Sequence, residues 1–147
     1  MMVTIRLVQE GDLAEWLRLR CALWPDHTVG ELQREMVEIQ ADLDQQPVFV
    51  AECPDGGLCG LVEVSIHSQA PGCTTNRIGY LEAWYVDPDW RDQGVGRRLA
   101  EAAEAWARAM GCREMASDTT PDYPVSPAAH AALGYREVER YFRKELG

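Results

Sequence analysis

Residues 78 to 111 limit the folds open to this chain more than any other stretch. Ile78-Gly79-Tyr80-Leu81-Glu82-Ala83-Trp84-Tyr85-Val86 is rich in aromatic and branched residues and stops at Asp87-Pro88. A glycine-rich turn follows, Arg91-Asp92-Gln93-Gly94-Val95-Gly96-Arg97. After it, Val95, Leu99, Ala102, Ala103, Trp106 and Met110 recur at three- and four-residue spacing. The pattern predicts a strand, a loop and a helix in succession. Gly94 and Gly96 carry no side chains, so the N–H groups at the helix start are open to close approach. Those donors lack partners within the helix, and together with the helix dipole they favour an anion. Arg91, Arg97 and Arg98 add positive charge around the turn. A pyrophosphate is the simplest ligand that fits.

The turn lacks the Lys-Ser or Lys-Thr pair of a mononucleotide P-loop, and Leu99 stands where a dinucleotide fingerprint would need a third glycine. What stands here is Arg91-x-x-Gly94-x-Gly96 after a strand ending Val86-Asp87-Pro88. This resembles the acetyl-CoA signature of the GNAT superfamily of N-acetyltransferases. The resemblance implies that the turn amides hold the CoA pyrophosphate and that the preceding strand splays to pair with pantetheine. It also implies acetyl-CoA contacts at Trp84, Tyr85, Val86, Arg91, Asp92, Gln93, Gly94, Val95, Gly96 and Arg97.

At 147 residues the chain suits one domain, residues 1–147, able to bury roughly 70% of its unfolded surface. Five cysteines without a C-x-x-C pair argue against a disulfide framework or a zinc site, and three scattered histidines add no metal motif. No metal is expected. Neither a signal peptide nor a membrane span is evident, so a cytoplasmic protein is expected. The net charge of -10, from 24 acids against 14 bases, disfavours nucleic acid and anionic membranes and suits a cationic substrate. Between residues 28 and 67 stand eight carboxylates and only Arg34 as a strong base. Most of these acids suit a solvated face; a few could line a cleft.

Val3 to Val8 alternates as a first strand. Asp12 with Glu15, and Thr28 with Glu31, read as capping boxes opening helices through Trp24 and to about Leu43. Val48–Glu52 and Cys59 to about Ile66 form a hairpin around Pro54-Asp55-Gly56-Gly57. Gly111 closes the helix after the turn. Arg113–Asp118 could be a fifth strand, Ser126-Pro127 opens a short helix that Gly134 ends, and Tyr135–Leu146 reads as a final strand. The fold class is α/β (α+β): a mixed, mostly antiparallel sheet flanked by helices on both faces. Element order and length resemble the GNAT acyltransferase fold throughout.

Acetyl transfer to an alkyl amine needs a group that binds the ammonium and takes its proton, a polarised carbonyl, and an acid for the thiolate. Glu82 is the first candidate, because an isolated charge in the apolar run Tyr80–Trp84 is costly without a function or a partner such as Arg77. A backbone N–H at Tyr85 or Val86 could polarise the carbonyl. Asp118 ends the next strand and is a second cation anchor or an Asx turn. His130 lies in the helix before Gly134, where many superfamily members carry a tyrosine as the thiolate acid. Imidazole could serve, or the residue could be a surface histidine. Tyr123 stands where relatives often have asparagine near the CoA arm.

Two further stretches, Leu23-Trp24-Pro25-Asp26-His27 and Gly111-Cys112-Arg113-Glu114-Met115-Ala116-Ser117-Asp118-Thr119, resemble segments of the aminoglycoside 6'-N-acetyltransferases, enzymes of antibiotic resistance. That resemblance implies that Trp24 and His27 contact sugar rings, that Glu82 and Asp118 bind amino groups, and that Glu139 is an outlying acid. It further implies a homodimer and direct attack in a ternary complex. No cysteine sits in a recognisable nucleophile motif that would support an acetyl-enzyme. The rival readings are acetylation of another amine, such as a polyamine or a peptide N-terminus, a non-catalytic CoA-binding sensor, and a nucleotide-binding protein.

Overall fold

In the computed structural model, which describes residues 2–147, one five-stranded sheet runs in the order β1 (Thr4–Leu7), β2 (Val48–Glu52), β3 (Leu58–His67), β4 (Ile78–Val86) and β5 (Glu114–Ser117). The first four strands pair antiparallel, whereas β5 lies parallel to β4. That parallel pair follows from the crossover helix α3 (Val95–Ala109) between them, which returns the chain to the same end of the sheet. Helices α1 (Leu13–Leu23) and α2 (Val29–Gln40) precede β2, and the short α4 (Ser126–Ala132) follows β5.

The sheet is packed on both faces, as the mixed fold requires. Val95, Leu99 and Ala103 of α3 meet Val62, Val64 and Leu81 on one side. Trp16 and Leu19 of α1 and Met36 of α2 meet Val48, Val50, Leu61 and Ala83 on the other. Strand β3 serves both cores by alternation, and it is buried from Leu58 to Val64. Fully burying a side chain such as Leu99 or Leu61 contributes about 1.5–3 kcal/mol, so these layers fix the sheet that carries the site.

The element ends follow their local chemistry. Thr28 accepts from the Glu31 N–H at 3.2 Å, as its capping pattern predicts. The box expected at Asp12 and Glu15 does not form. Arg6 takes both Asp12 oxygens at 2.7 and 3.0 Å, and the Gln9 N–H adds a third bond at 2.7 Å. Glu15 instead accepts from the Leu58 N–H at 3.0 Å and from Arg18 at 2.7 Å. Helix α2 stops at Gln40, short of Leu43. Gly111, at φ 89°, terminates α3 while Cys112 N–H bonds the Ala107 carbonyl at 2.9 Å.

The expected final strand over Tyr135–Leu146 is absent. Gly134 ends α4, and no strand pairing is recorded beyond it. Strand propensity is realised only against a neighbouring strand, and β5 is paired with β4 alone. The tail is held by side chains instead: Tyr135 bonds Glu104 at 2.7 Å and Val138 packs on Gly72. Tyr141, Phe142 and Leu146 stay 80–90% exposed.

Candidate active site

Two strands separate to make the site. β4 and β5 pair only from Ile78 to Leu81 and from Glu114 to Ser117. Beyond that point β4 remains bonded to β3 as far as Val86, but its other edge has no strand partner. The splay expected from the CoA signature is therefore present. The next residues on the two arms are Glu82 and Asp118, so both stand at the apex of the opening.

A bulge aims Glu82. Glu63 faces Ala83 and Val64 faces Leu81, which leaves Glu82 opposite no residue of β3. The extra residue breaks the strand's alternation and turns a side chain out of register, as bulges beside active sites do. Leu81 then enters the core under α3 and Ala83 the core under α1. Glu82 joins a polar row instead. Its Oε2 accepts from Ser65 Oγ at 2.5 Å and from His67 Nε2 at 2.6 Å. The His67 ring stacks on Tyr80, with centroids 4.1 Å apart and planes 7° from parallel. The Tyr80 hydroxyl donates to Asp118 Oδ2. Among the described residues no hydrogen bond reaches Glu82 Oε1 or Asp118 Oδ1. Burial first, and then the Asp118 carboxylate, hold the Tyr80 phenol well above its ordinary pKa, so it remains a donor at neutral pH. Glu139, in the tail, accepts from the Tyr141 hydroxyl at 2.8 Å.

Trp24 caps α1 and is half-buried. Beneath it the Arg20 guanidinium lies 4.8 Å from the ring centroid, and His27 lies 5.9 Å away on another side. His27 itself is exposed, 3.9 Å from Glu31. Arg20 is buried and reaches Glu63 at 3.5 Å and Glu35 at 3.1 Å, and Trp16 Nε1 donates to Glu63 at 2.9 Å. Burial pushes the Glu63 carboxyl above the usual range, opposed by Arg20 and the Trp16 N–H.

At the other end of β4, Gly94 caps α3 in the left-handed region at φ 81°. No side chain caps the helix, and its first turn carries no acid. These uncapped amides fit a diphosphate. Val95 is buried, anchoring the first turn in the core. Trp84 Nε1 donates to the Gly96 carbonyl at 3.0 Å and so ties β4 to that turn. Arg91 bonds the Val86 carbonyl at 2.8 Å and lies 5.4 Å over the Tyr85 ring. Arg97 bonds the Ala132 carbonyl at 3.0 Å, and Gln93 the Asp89 carbonyl at 3.2 Å. Asp92 takes a positive φ of 61° to complete the loop. His130 is half-buried between Trp84 and Tyr135, edge-on to both. Its Nδ1 faces the Ser126 carbonyl at 2.8 Å and so carries the proton, while Nε2 meets Ser117 Oγ at 2.8 Å. Tyr123 donates to the Leu23 carbonyl at 2.6 Å, which pins the loop after β5 to the end of α1.

The profile of the acetyltransferase (GNAT) family matches residues 15–135. The chain belongs to the GNAT acetyltransferase family. Among curated relatives it is 45% identical to an aminoglycoside N(6')-acetyltransferase type 1 of Klebsiella aerogenes, over 97% of this chain and 96% of that one. It is 42% identical to the protein of the same name from Stenotrophomonas maltophilia, over 97% and 94%. Among solved structures it resembles AAC(6')-Iy in complex with the bisubstrate analog CoA-S-monomethyl-acetylneamine, with a TM-score of 0.88 and 35% identity over 99% of this chain and all of that one. It also resembles the aminoglycoside 6'-N-acetyltransferase AAC(6')-Ih of Acinetobacter baumannii, with a TM-score of 0.85 and 35% identity over 99% of both chains.

The GNAT signature in the sequence pointed to the α3 turn and the isolated charge in an apolar run to Glu82, but neither pointed to Ser65, which bonds Glu82, or to His67 and Tyr80, which link Glu82 to Asp118. Their one sequence signal is alternation: Ser65 and His67 on β3, and Tyr80 two residues before Glu82 on β4. Register decides which of these meet, and the bulge that sets the register carries no glycine or proline to announce it.

Proposed function

We propose that residues 1–147 act as one N-acetyltransferase domain that moves acetyl from acetyl-CoA to the 6'-amino group of aminoglycosides, conferring resistance, by direct attack in a ternary complex. The observation that carries this reading is the paired opening at Glu82 and Asp118, two carboxylates each with one free oxygen, at the apex of a splayed sheet beside an uncapped helix start. The names of the relatives at 35–45% identity agree with it.

The α3 amides, with Arg91 and Arg97 nearby, would hold the diphosphate, and the free edge of β4 from Trp84 to Val86 would pair with pantetheine. Bound acetyl-CoA supplies the acetyl group as a thioester. Glu82 Oε1 binds the substrate ammonium and then withdraws its proton, directly or through water. The neutral nitrogen attacks the acyl carbon, the N–C bond forms, the nitrogen gives up a second proton, and the C–S bond breaks to release the thiolate, which is then protonated. A backbone N–H of Tyr85 or Val86 polarises the carbonyl oxygen in this scheme. Neutral His130 keeps its one proton on Nδ1 against the Ser126 carbonyl, so only its imidazolium form, with Nε2 also protonated, could pass a proton to the thiolate by way of Ser117; water is the other source. Trp24 and His27 offer a platform for sugar rings, and Asp118 and Glu139 offer sites for further ammonium groups. The same reading includes a homodimer in the cytoplasm. The exposed Tyr141, Phe142 and Leu146 give a second copy something to cover, and sedimentation tests it.

The test is thiol release from acetyl-CoA across aminoglycosides, polyamines and peptides, with Glu82→Gln beside the wild type. Aminoglycosides are expected to be the preferred acceptors, and the variant should lose about 10²–10⁴-fold in kcat while acetyl-CoA still binds. Preference for polyamines or peptides, or near-normal turnover by the variant, would overturn the assignment.

A further inference from the structure

We propose that the stacked His67–Tyr80 pair is the acceptor-specificity element of this enzyme: it fixes the separation of Glu82 and Asp118 and so selects acceptors with a second ammonium group at a set distance from the one acetylated. The inference rests on the proposed acetyl transfer to amines and adds a determinant to it.

Four side chains on two strands and one beyond a third form a continuous row. Ser65 and His67 both bond the same oxygen of Glu82, and Tyr80 bonds one oxygen of Asp118. Each carboxylate is thus tethered by one atom and offers the other. Without a link the two acids could turn independently, since Glu82 and Asp118 sit on arms that no longer pair. The link is the ring stack, 4.1 Å between centroids and 7° from parallel, joining the donor to Glu82 with the donor to Asp118. A carboxylate faced by histidine must be met by an N–H, so His67 Nε2 is the donor in that contact. A lone ammonium needs only Glu82. A diamine of matching span engages both free oxygens at once, and the gain grows with how well their spacing is held. His67 and Tyr80 are therefore positioning residues, acting on substrate through the two acids.

Steady-state kinetics with two acceptors test this. Neamine carries several amino groups, and 6-amino-6-deoxyglucose carries one. The variants are Tyr80→Phe, which keeps the ring but removes the bond to Asp118, and His67→Gln, which can still donate to Glu82 but cannot stack. In each, KM for neamine is expected to rise about tenfold, the loss of one oriented charge-assisted contact. KM for acetyl-CoA should stay within about twofold, and the ratio of kcat/KM for neamine to kcat/KM for the monoamine should fall about tenfold. A merely structural role would move both acceptors together, and a thermal melt verifies folding. Equal changes for the two acceptors, or no change for neamine, overturn the inference while leaving acetyl transfer intact. A wild type that acetylates neither amine overturns the underlying activity, and the inference with it.

Discussion

Replacing Glu63 by Leu should destabilise the protein more than any comparable change in the same core. Glu63 is 4% exposed, Arg20 2% and Trp16 not at all. Removing the carboxylate takes the bond from Trp16 Nε1 and leaves a buried guanidinium whose remaining acidic partner, Glu35, is half in solvent. Among the described residues Arg20 Nε already has no partner. Breaking a buried ion pair from one side costs about 3–5 kcal/mol, of which an unpaired indole N–H accounts for about 1–3 kcal/mol. Removing both charges in Arg20→Met with Glu63→Leu strands no charge, which recovers the ion-pair part of the loss, but the Trp16 N–H stays unpaired and keeps about 1–3 kcal/mol of it. Urea unfolding with an unchanged m-value measures both, and the coupling in the double-mutant cycle should offset the part of the single cost that comes from the stranded charge. The double variant also loses the guanidinium 4.8 Å below Trp24. It should therefore show a higher KM for aminoglycoside while KM for acetyl-CoA stays unchanged. A single variant within about 1 kcal/mol of wild type, or a double variant as unstable as the sum of its parts, would refute the reasoning, because the pair would then not be electrostatically isolated.

Two further measurements probe the ends of the sheet. Gly94→Ala places a Cβ at φ 81°, at a cost of about 1–2 kcal/mol; KM for acetyl-CoA should rise several-fold with kcat for saturating cofactor little changed, and an unaltered KM would separate the turn from diphosphate binding. The Arg6 guanidinium, and with it the Gln9 N–H, holds the Asp12 carboxyl below its ordinary 3.8 against the opposing effect of burial. The Asp12 contribution is thus fully present above that ordinary value and is lost as pH falls through the lowered folded value. Asp12→Asn should remove about 1.5–3 kcal/mol at pH 7 and make urea stability less steep below pH 4, and parallel pH curves for the two proteins would sink that account.

What could be read from the sequence, and what could not, divides along one physical line. The α3 turn, its glycines and the apolar stripe of Val95, Leu99 and Ala103 are local, and local chemistry is written in consecutive residues. Thr28 and Gly111 worked for the same reason. Asp12 and Glu15 have the right spacing for a helix cap, yet Arg6, on the strand before the helix, and the Leu58 N–H, distant in the chain, offered those carboxylates charge-assisted bonds that outweigh a cap. The tail from Tyr135 reads as a strand because its residues suit one, but a strand exists only beside another, and β5 pairs with β4 alone. Glu82 combines both cases. Its isolation among Tyr80, Leu81, Ala83 and Trp84 marks it as a charge that needs a reason, and that much is local. Its orientation comes from a one-residue mismatch between β3 and β4 that no residue type demands. The same mismatch turns it towards Ser65 and His67 instead of into a core. Glu82 could thus be singled out from its neighbours in sequence, while its partners Ser65 and His67 required the register.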